Sequence, residues 1–313
     1  MSKTWTTANI PDQTGKTAII TGGNSGIGYY AALELARKGA TVVLACRSVA
    51  RAQEAVQRIQ AAVPNADVTA EPLDLARQSS IHDFARDWLG SARPLHLLIN
   101  NAGVMALPRR TQTEDGFEMQ FGTNVLGHFA LTGLLLPALN VTAQTALERP
   151  RIVTLASIAH LGGSIQLDDL QSEKKYSPMV AYQQSKLGDL MFAFELDRRL
   201  QNCGSPVMSV AAHPGVANTP LFVRDAPDWQ KPVRRMIGPL IELFLNTAEQ
   251  GALPTLFAAT AREAKAGGYY GPQGFQEMRG EVGEAKISDR AKNRTIAAEL
   301  WQKCEELTGV RFP

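Results

Sequence analysis

The sequence predicts an α/β fold: a mostly parallel sheet flanked by helices, in a single domain spanning 1–313. Three observations carry this. Short apolar, β-branched runs alternate with stretches of helical spacing along most of the chain. The first such run ends in a glycine cluster that leads straight into a helical stretch. No linker, repeat or low-complexity tract divides the 313 residues, so the two halves share one sheet.

The elements follow in order. Thr17–Thr21 (TAIIT) is a strand, Gly22–Gly28 (GGNSGIG) interrupts it, and Tyr29–Lys38 has helical spacing up to Gly39. Ala40–Cys46 (ATVVLAC) is a second strand, and Ser48–Val63 is an amphipathic helix stopped by Pro64. Asp67–Glu71 reads as a third strand, Ser79–Gly90 as a helix and Leu95–Asn100 as a fourth strand. Such a βαβ series closes by right-handed crossovers, which put helices on both faces of a parallel sheet. The second half continues it. A long helix lies within Glu114–Pro137, a strand at Arg151–Leu155, a helix at Tyr182–Leu200, a strand at Pro206–Ala212, a helix at Gly251–Thr260 and a short last strand at Gly268–Gly271.

Composition excludes several classes. Thirty-two Lys and Arg against thirty Asp and Glu give a net charge of +2, with no broad basic field for nucleic acid or anionic membrane. Cys46, Cys203 and Cys304 are too few and too scattered for a disulfide framework or a structural zinc site, so no metal is expected. MSKTWTTANIPDQTGK is polar and lacks the apolar core of a signal peptide. No stretch reads as the roughly 20 apolar residues of a spanning helix. The expectation is a cytoplasmic protein with no integral membrane segment.

Gly22, Gly26 and Gly28 sit between the first strand and first helix, where a dinucleotide turn needs tight reversal, close backbone approach and a helix N-terminus facing pyrophosphate. That makes the domain Rossmann-like. The second strand ends in Cys46–Arg47, where an NAD-preferring fold carries an acid. A guanidinium can grip a 2′-phosphate that a carboxylate would repel, so NADP(H) is favoured. Asp74, followed by Leu75, lies after the third strand; it could meet the adenine edge or simply serve a helix start.

Tyr182 and Lys186 are four residues apart, hence on one helix face. An ammonium near a phenol stabilises the phenolate and tunes it for proton transfer. Ser157 follows the RIVTL strand directly, at the carboxyl edge where parallel sheets bind ligands. Asn124 (QFGTNVLGHF) is an amide in a helix that propensity disfavours; it could hold a water linked to Lys186 or be a satisfied core amide.

Together these residues resemble the short-chain dehydrogenase/reductase family. The matching segments are TGGNSGIG at Thr21–Gly28, NNAG at Asn100–Gly103, the ordered set Asn124, Ser157, Tyr182 and Lys186, and HPGVANT at His213–Thr219. The LACR, NNAGVM, NVLGHF and ASIAH segments and the twenty-five-residue gap from Ser157 to Tyr182 resemble the retinol-dehydrogenase-like branch; Ala156 stands where many relatives have a second serine. The resemblance implies cofactor contacts from Gly22, Asn24, Ser25, Gly26, Ile27, Gly28, Asn101, Ala102, Gly103, Tyr182, Lys186, Pro214, Gly215 and Thr219. It also implies the catalytic set Asn124, Ser157, Tyr182 and Lys186, and interconversion of a carbonyl compound and its alcohol, which the apolar residues of 219–245 make a mostly apolar one.

Two rival functions remain open at this stage: NADPH-dependent reduction of an activated C=C bond, and a non-catalytic nucleotide-binding regulator. Side chains near Met105, His160 and Pro178 are candidates to meet substrate. Residues 219–245 combine four prolines with Phe222, Trp229, Met236, Ile237, Ile241 and Phe244. A substrate flap is one reading; permanent packing or a contact between copies of the chain is the other.

Overall fold

The computed structural model describes residues 4–216 and 246–313. The expected flap at 219–245 and Thr219 lie outside them.

Eight strands form one sheet in the order β3-β2-β1-β4-β5-β6-β7-β8. They are β1 (Thr17–Thr21), β2 (Thr41–Cys46), β3 (Val68–Pro72), β4 (Leu97–Asn100), β5 (Arg151–Leu155), β6 (Met208–Ala212), β7 (Tyr269–Pro272) and β8 (Val282–Glu284). All neighbouring strands run parallel except β7 and β8. The helices are α1 (Gly26–Arg37), α2 (Val49–Ala62), α3 (Gln78–Gly90), α4 (Met119–Ala143), α5 (Pro178–Asn202), α6 (Ala248–Thr260) and α7 (Arg294–Thr308).

The central strands are apolar throughout because both their faces are covered. Ile19 and Val43 point to a core shared with Trp88 of α3, Phe129 of α4, Phe192 of α5 and Trp301 of α7. Their neighbours Ile20, Val42 and Leu44 point to the opposite core with Leu35 of α1, Ile59 of α2 and Leu256 of α6. Strand order reverses between β1 and β4, so the helices following these two strands leave to opposite faces. A crevice opens at their carboxyl ends, beside Thr21 and Asn100.

Three sequence expectations need correction. First, α4 is long and apolar enough to cross a membrane by length and composition, yet 72% of its apolar window is buried inside the domain. Its apolarity belongs to a core helix wedged between the sheet and its neighbours. Second, α4 does not stop at Pro137. It continues to Ala143 because Leu139 and Thr142 beyond the proline are buried, and this packing outweighs the hydrogen bond that proline cannot donate. Third, the sheet does not end with β7. The three-residue β8 gave too short a pattern to read. The overlooked α7 did carry signals: Asn293 caps its Ile296 N–H, Ala297, Leu300, Trp301 and Cys304 form one buried stripe, and Gly309 ends it at φ 70°.

Helix α4 approaches β3's exit closely. A Cβ on Gly127 would lie 2.5 Å from the Leu75 carbonyl oxygen. Alanine normally improves a helix interior by about 1 kcal/mol over glycine, whereas forcing atoms into a packed site costs roughly 1–3 kcal/mol. Gly127→Ala should therefore lower the urea midpoint. Gly90→Ala, with nothing within 4 Å of the added carbon, should leave it unchanged or raise it.

Candidate active site

The turn after β1 is built as the sequence predicts. Gly22 and Gly26 have φ of +66° and +56°, in the left-handed region that favours glycine. Gly28 sits so close to Asn101 that a Cβ would fall 2.4 Å from the Asn101 amide nitrogen. The turn and the NNAG segment are thus in direct contact. Ser25 precedes α1 without capping it by its side chain, so Gly26, Ile27 and Gly28 open the helix with amide groups suited to an anion. Asn24 offers its carbonyl to the Arg58 guanidinium at 3.2 Å, and Arg58 lies over the Tyr29 ring at 4.4 Å. Cys46 packs against this turn. Burial pushes its thiol up in pKa, opposed by the amides of Asn24, Gly23 and Gly22. Arg47 is exposed at the same strand end. The residues present fit a dinucleotide: a glycine-rich cradle, a helix start and an exposed guanidinium beside it.

Asp74 is engaged locally. Its carboxylate accepts from the Ala76 N–H at 3.0 Å, and its own N–H donates to Ser80 Oγ. It therefore shapes the entry to α3 while remaining half-buried at the carboxyl edge; Leu75 beside it is buried under α4.

At the switch point the Thr21 hydroxyl accepts the backbone N–H groups of Asn101 and Ala102, each at 2.9 Å. Asn101 returns a side-chain hydrogen bond to the Thr21 carbonyl at 2.7 Å. The same hydroxyl meets His128 Nε2 at 2.9 Å, and His128 Nδ1 meets the Asn124 carbonyl at 2.8 Å. A carbonyl only accepts, so Nδ1 carries the proton and Nε2 accepts from Thr21. Burial pushes His128 down to a pKa of about 3, which keeps it in this neutral form.

Asn124 lies in a π-helical turn, Gly122–Leu126, within α4. Its side chain is fully used. Oδ1 accepts the Val104 N–H at 2.9 Å, while Nδ2 donates to the Val104 carbonyl and to Ser185 Oγ. The amide thus clamps the NNAG exit against α5, and no side-chain N–H is left over for a water. Gly103 leaves room for it: a Cβ there would come within 3.1 Å of Asn124 Oδ1 and 3.8 Å of Lys186 Nζ.

Tyr182 and Lys186 share the inner face of α5, and both are buried. Lys186 Nζ donates to the Leu155 carbonyl at 2.8 Å and to Asp189 at 2.7 Å. Burial pulls the ammonium down, but the charges of Asp189 and Tyr182 overcome this and raise it. Burial pushes Asp189 up to about 6 against the pull of Lys186. Ser157 lies two residues beyond β5 and starts a short 3-10 turn, Ile158–Gly162, accepting from the Ala159 N–H at 3.1 Å. That turn lies on α5: a Cβ on Gly163 would meet the Gln183 carbonyl at 2.5 Å. Ser157, Tyr182 and Lys186 therefore converge on the carboxyl edge, with Asn124 behind them.

The remaining candidates divide. His160 is buried, with Nδ1 2.7 Å from the Ser157 carbonyl and its ring edge-on to Tyr269. It supports the Ser157 turn. Pro178 opens α5 and offers its carbonyl to Gln120; Met105 is half-buried. Gly215 adopts φ +70°, with the Met278 carbonyl where a side chain would be, and Asn246 holds the Pro214 carbonyl at 2.9 Å. Sequence reading missed Thr21, His128, Ser185 and Asp189. The last was visible as an acid three residues beyond Lys186 on one helix face.

The short chain dehydrogenase family model matches residues 16–229, more than half of the chain. The chain belongs to the short-chain dehydrogenase/reductase family. Human retinol dehydrogenase 13 is 41% identical over 308 residues, covering 98% of this chain and 87% of that protein. Mouse polyprenol dehydrogenase is 41% identical over 302 residues, covering 96% and 86%. A crystal structure of a Mycobacterium paratuberculosis protein is 38% identical and superposes with a TM-score of 0.80, covering 99% of this chain and 100% of that one. This short-chain dehydrogenase is an oxidoreductase that depends on a nicotinamide dinucleotide.

The neutral His128 carries a pH signature. The unfolded chain binds a proton near 6.5, which the folded chain refuses until about 3. Stability must fall as pH drops through that window. Between pH 7 and pH 5 the wild type should lose about 2 kcal/mol more than His128→Gln, which keeps a donor and an acceptor but cannot titrate. Urea unfolding at the two pH values measures the difference; equal losses would exclude His128 as the source.

Proposed function

We propose that this dehydrogenase interconverts an apolar carbonyl compound and its alcohol with NADP(H). The observation that carries the reading is the buried Lys186 ammonium held on the same helix face as Tyr182, beside Ser157 at the carboxyl edge. The bound nicotinamide supplies or accepts hydride. The protein does the rest. In reduction, Tyr182 gives its phenolic proton to the substrate oxygen, and the Ser157 hydroxyl donates a hydrogen bond to that atom. Lys186 favours release of the Tyr182 proton and has one N–H beyond those used by Leu155 and Asp189, suited to a ribose hydroxyl. These contacts strengthen as negative charge grows on oxygen. Oxidation reverses the proton's path.

Two observations support an apolar substrate. Leu161, Met179 and Val180 are 49%, 46% and 58% exposed on the Ser157 turn and the first turn of α5. The named relatives act on retinol and polyprenol, both apolar alcohols. The 2′-phosphate form of the cofactor rests on Arg47, whose side chain is exposed at the end of β2.

Tyr182→Phe should keep NADPH binding and lose about 10²–10⁴-fold in kcat for carbonyl reduction. Near-normal turnover in that variant would remove Tyr182 as proton donor. Saturated carbonyl rather than alcohol as product would instead assign C=C reduction, and NADPH binding without any turnover would assign a regulator.

Arg47→Asp should weaken NADPH by roughly 10-fold or more, the scale of a charge-assisted hydrogen bond, and leave NADH little changed. Fluorescence titration of both cofactors decides it. Equal affinities in the wild type would overturn the NADP(H) preference.

A further inference from the structure

We propose that Asp189 is a positioning residue that holds the Lys186 charge in place and sets the upper pH limit of carbonyl reduction. The inference deepens the proposed proton transfer from Tyr182 and rests on that reading.

The geometry is unusual for a structural acid. Asp189 is 2% exposed, and its Oδ2 lies 2.7 Å from Lys186 Nζ one turn back on α5. Its Oδ1 is buried without any hydrogen-bond partner among the described residues. The carboxylate therefore caps no helix and satisfies no backbone group; its polar contact is the ammonium. A buried lysine alone tends to lose its proton, because burial penalises the charged form. Asp189 supplies the opposite charge that keeps Lys186 cationic. Breaking such a buried pair on one side leaves the other charge uncompensated.

Among the described residues, burial moves the titratable groups of the neighbouring elements away from neutrality; on the Ser157 turn it pushes His160 down. From α4, His128 faces Lys186 and stays neutral down to about pH 3. From α7, Cys304 faces Asp189, and burial keeps it a thiol. From β7, Tyr269 faces Tyr182, and burial keeps it a phenol. β5 offers only the Leu155 carbonyl. Above about pH 6 Asp189 is ionised, so across the alkaline range its charge bears on the Lys186 ammonium 2.7 Å away.

Removing the negative charge makes loss of the Lys186 ammonium proton easier. Reduction needs Tyr182 as phenol and Lys186 as ammonium. The alkaline limb of kcat must then move toward lower pH.

The test is the kcat–pH profile for NADPH-dependent carbonyl reduction in wild type, Asp189→Asn and Asp189→Glu. Asparagine keeps the size and an acceptor; glutamate keeps the charge. The expected result is an alkaline limb lowered by about one pH unit or more in Asp189→Asn, the scale of a nearby opposite charge, and largely restored in Asp189→Glu. Asp189→Ser, smaller and uncharged, should behave as Asp189→Asn. A uniform fall in kcat with the limb unmoved would overturn the proposal, and so would failure of both uncharged variants to fold. Ultraviolet titration of tyrosinate, taken as the difference between proteins with and without Tyr182→Phe, gives a second readout. Its onset should shift between wild type and Asp189→Asn. A wild type that reduces no carbonyl would fail the functional reading alone, since this absorbance titration still tests the charge pair.

Discussion

One hydroxyl joins the parts on which the site depends. At the end of β1, Thr21 accepts the N–H groups of Asn101 and Ala102, which have just left β4, and donates to His128 from α4. His128 in turn fixes the Asn124 carbonyl. β1 and β4 are the strands between which the order reverses, so their ends diverge in the chain and must be held together in space. A buried hydroxyl with every partner satisfied does this more specifically than apolar contact, which has no preferred direction. The glycine turn, the NNAG segment and the π-helical turn all take their positions from it.

The π turn has a consequence of its own. Inserting one residue into a helix redirects the side chains on either side of the insertion. Asn124 thereby reaches Val104 and Ser185 at once, and α4 is tied to α5, the helix that carries Tyr182 and Lys186. The chemistry therefore sits on helices and strand ends rather than on free loops, which favours a preorganised field. Lys186 is held twice, by Leu155 and by Asp189, with little freedom to move.

Much of the fold was legible in the sequence because strands buried on both faces must be apolar runs, and helices on a sheet must be amphipathic. β1, β2, β5 and β6 fall where TAIIT, ATVVLAC, RIVTL and PVMSVAA place them. The end of α4 was not legible, since proline argues locally against continuation and only the buried Leu139 and Thr142 beyond it argue for it. β8 was not legible either: three residues pairing antiparallel at the sheet edge have too little pattern to read. The α7 stripe was legible, because the Asn293 cap, the helical period of its buried residues and the Gly309 stop are all local signals.

At the site the division is similar. Residue types and spacing by themselves determined the glycine cradle, the Tyr182–Lys186 face and the position of Ser157 at a strand end, because each depends on local geometry: a turn, a helical period, a strand exit. Tertiary structure alone decided what those residues touch. It turned Asn124 from a candidate water holder into a clamp, made His128 a neutral linker through complete burial, and brought the Asp189 carboxylate onto Lys186, with no other hydrogen-bond partner among the described residues. Hydrogen-bond commitment and desolvation are properties of the assembled neighbourhood, set by chain segments far apart in sequence, and no single window of residues contains them.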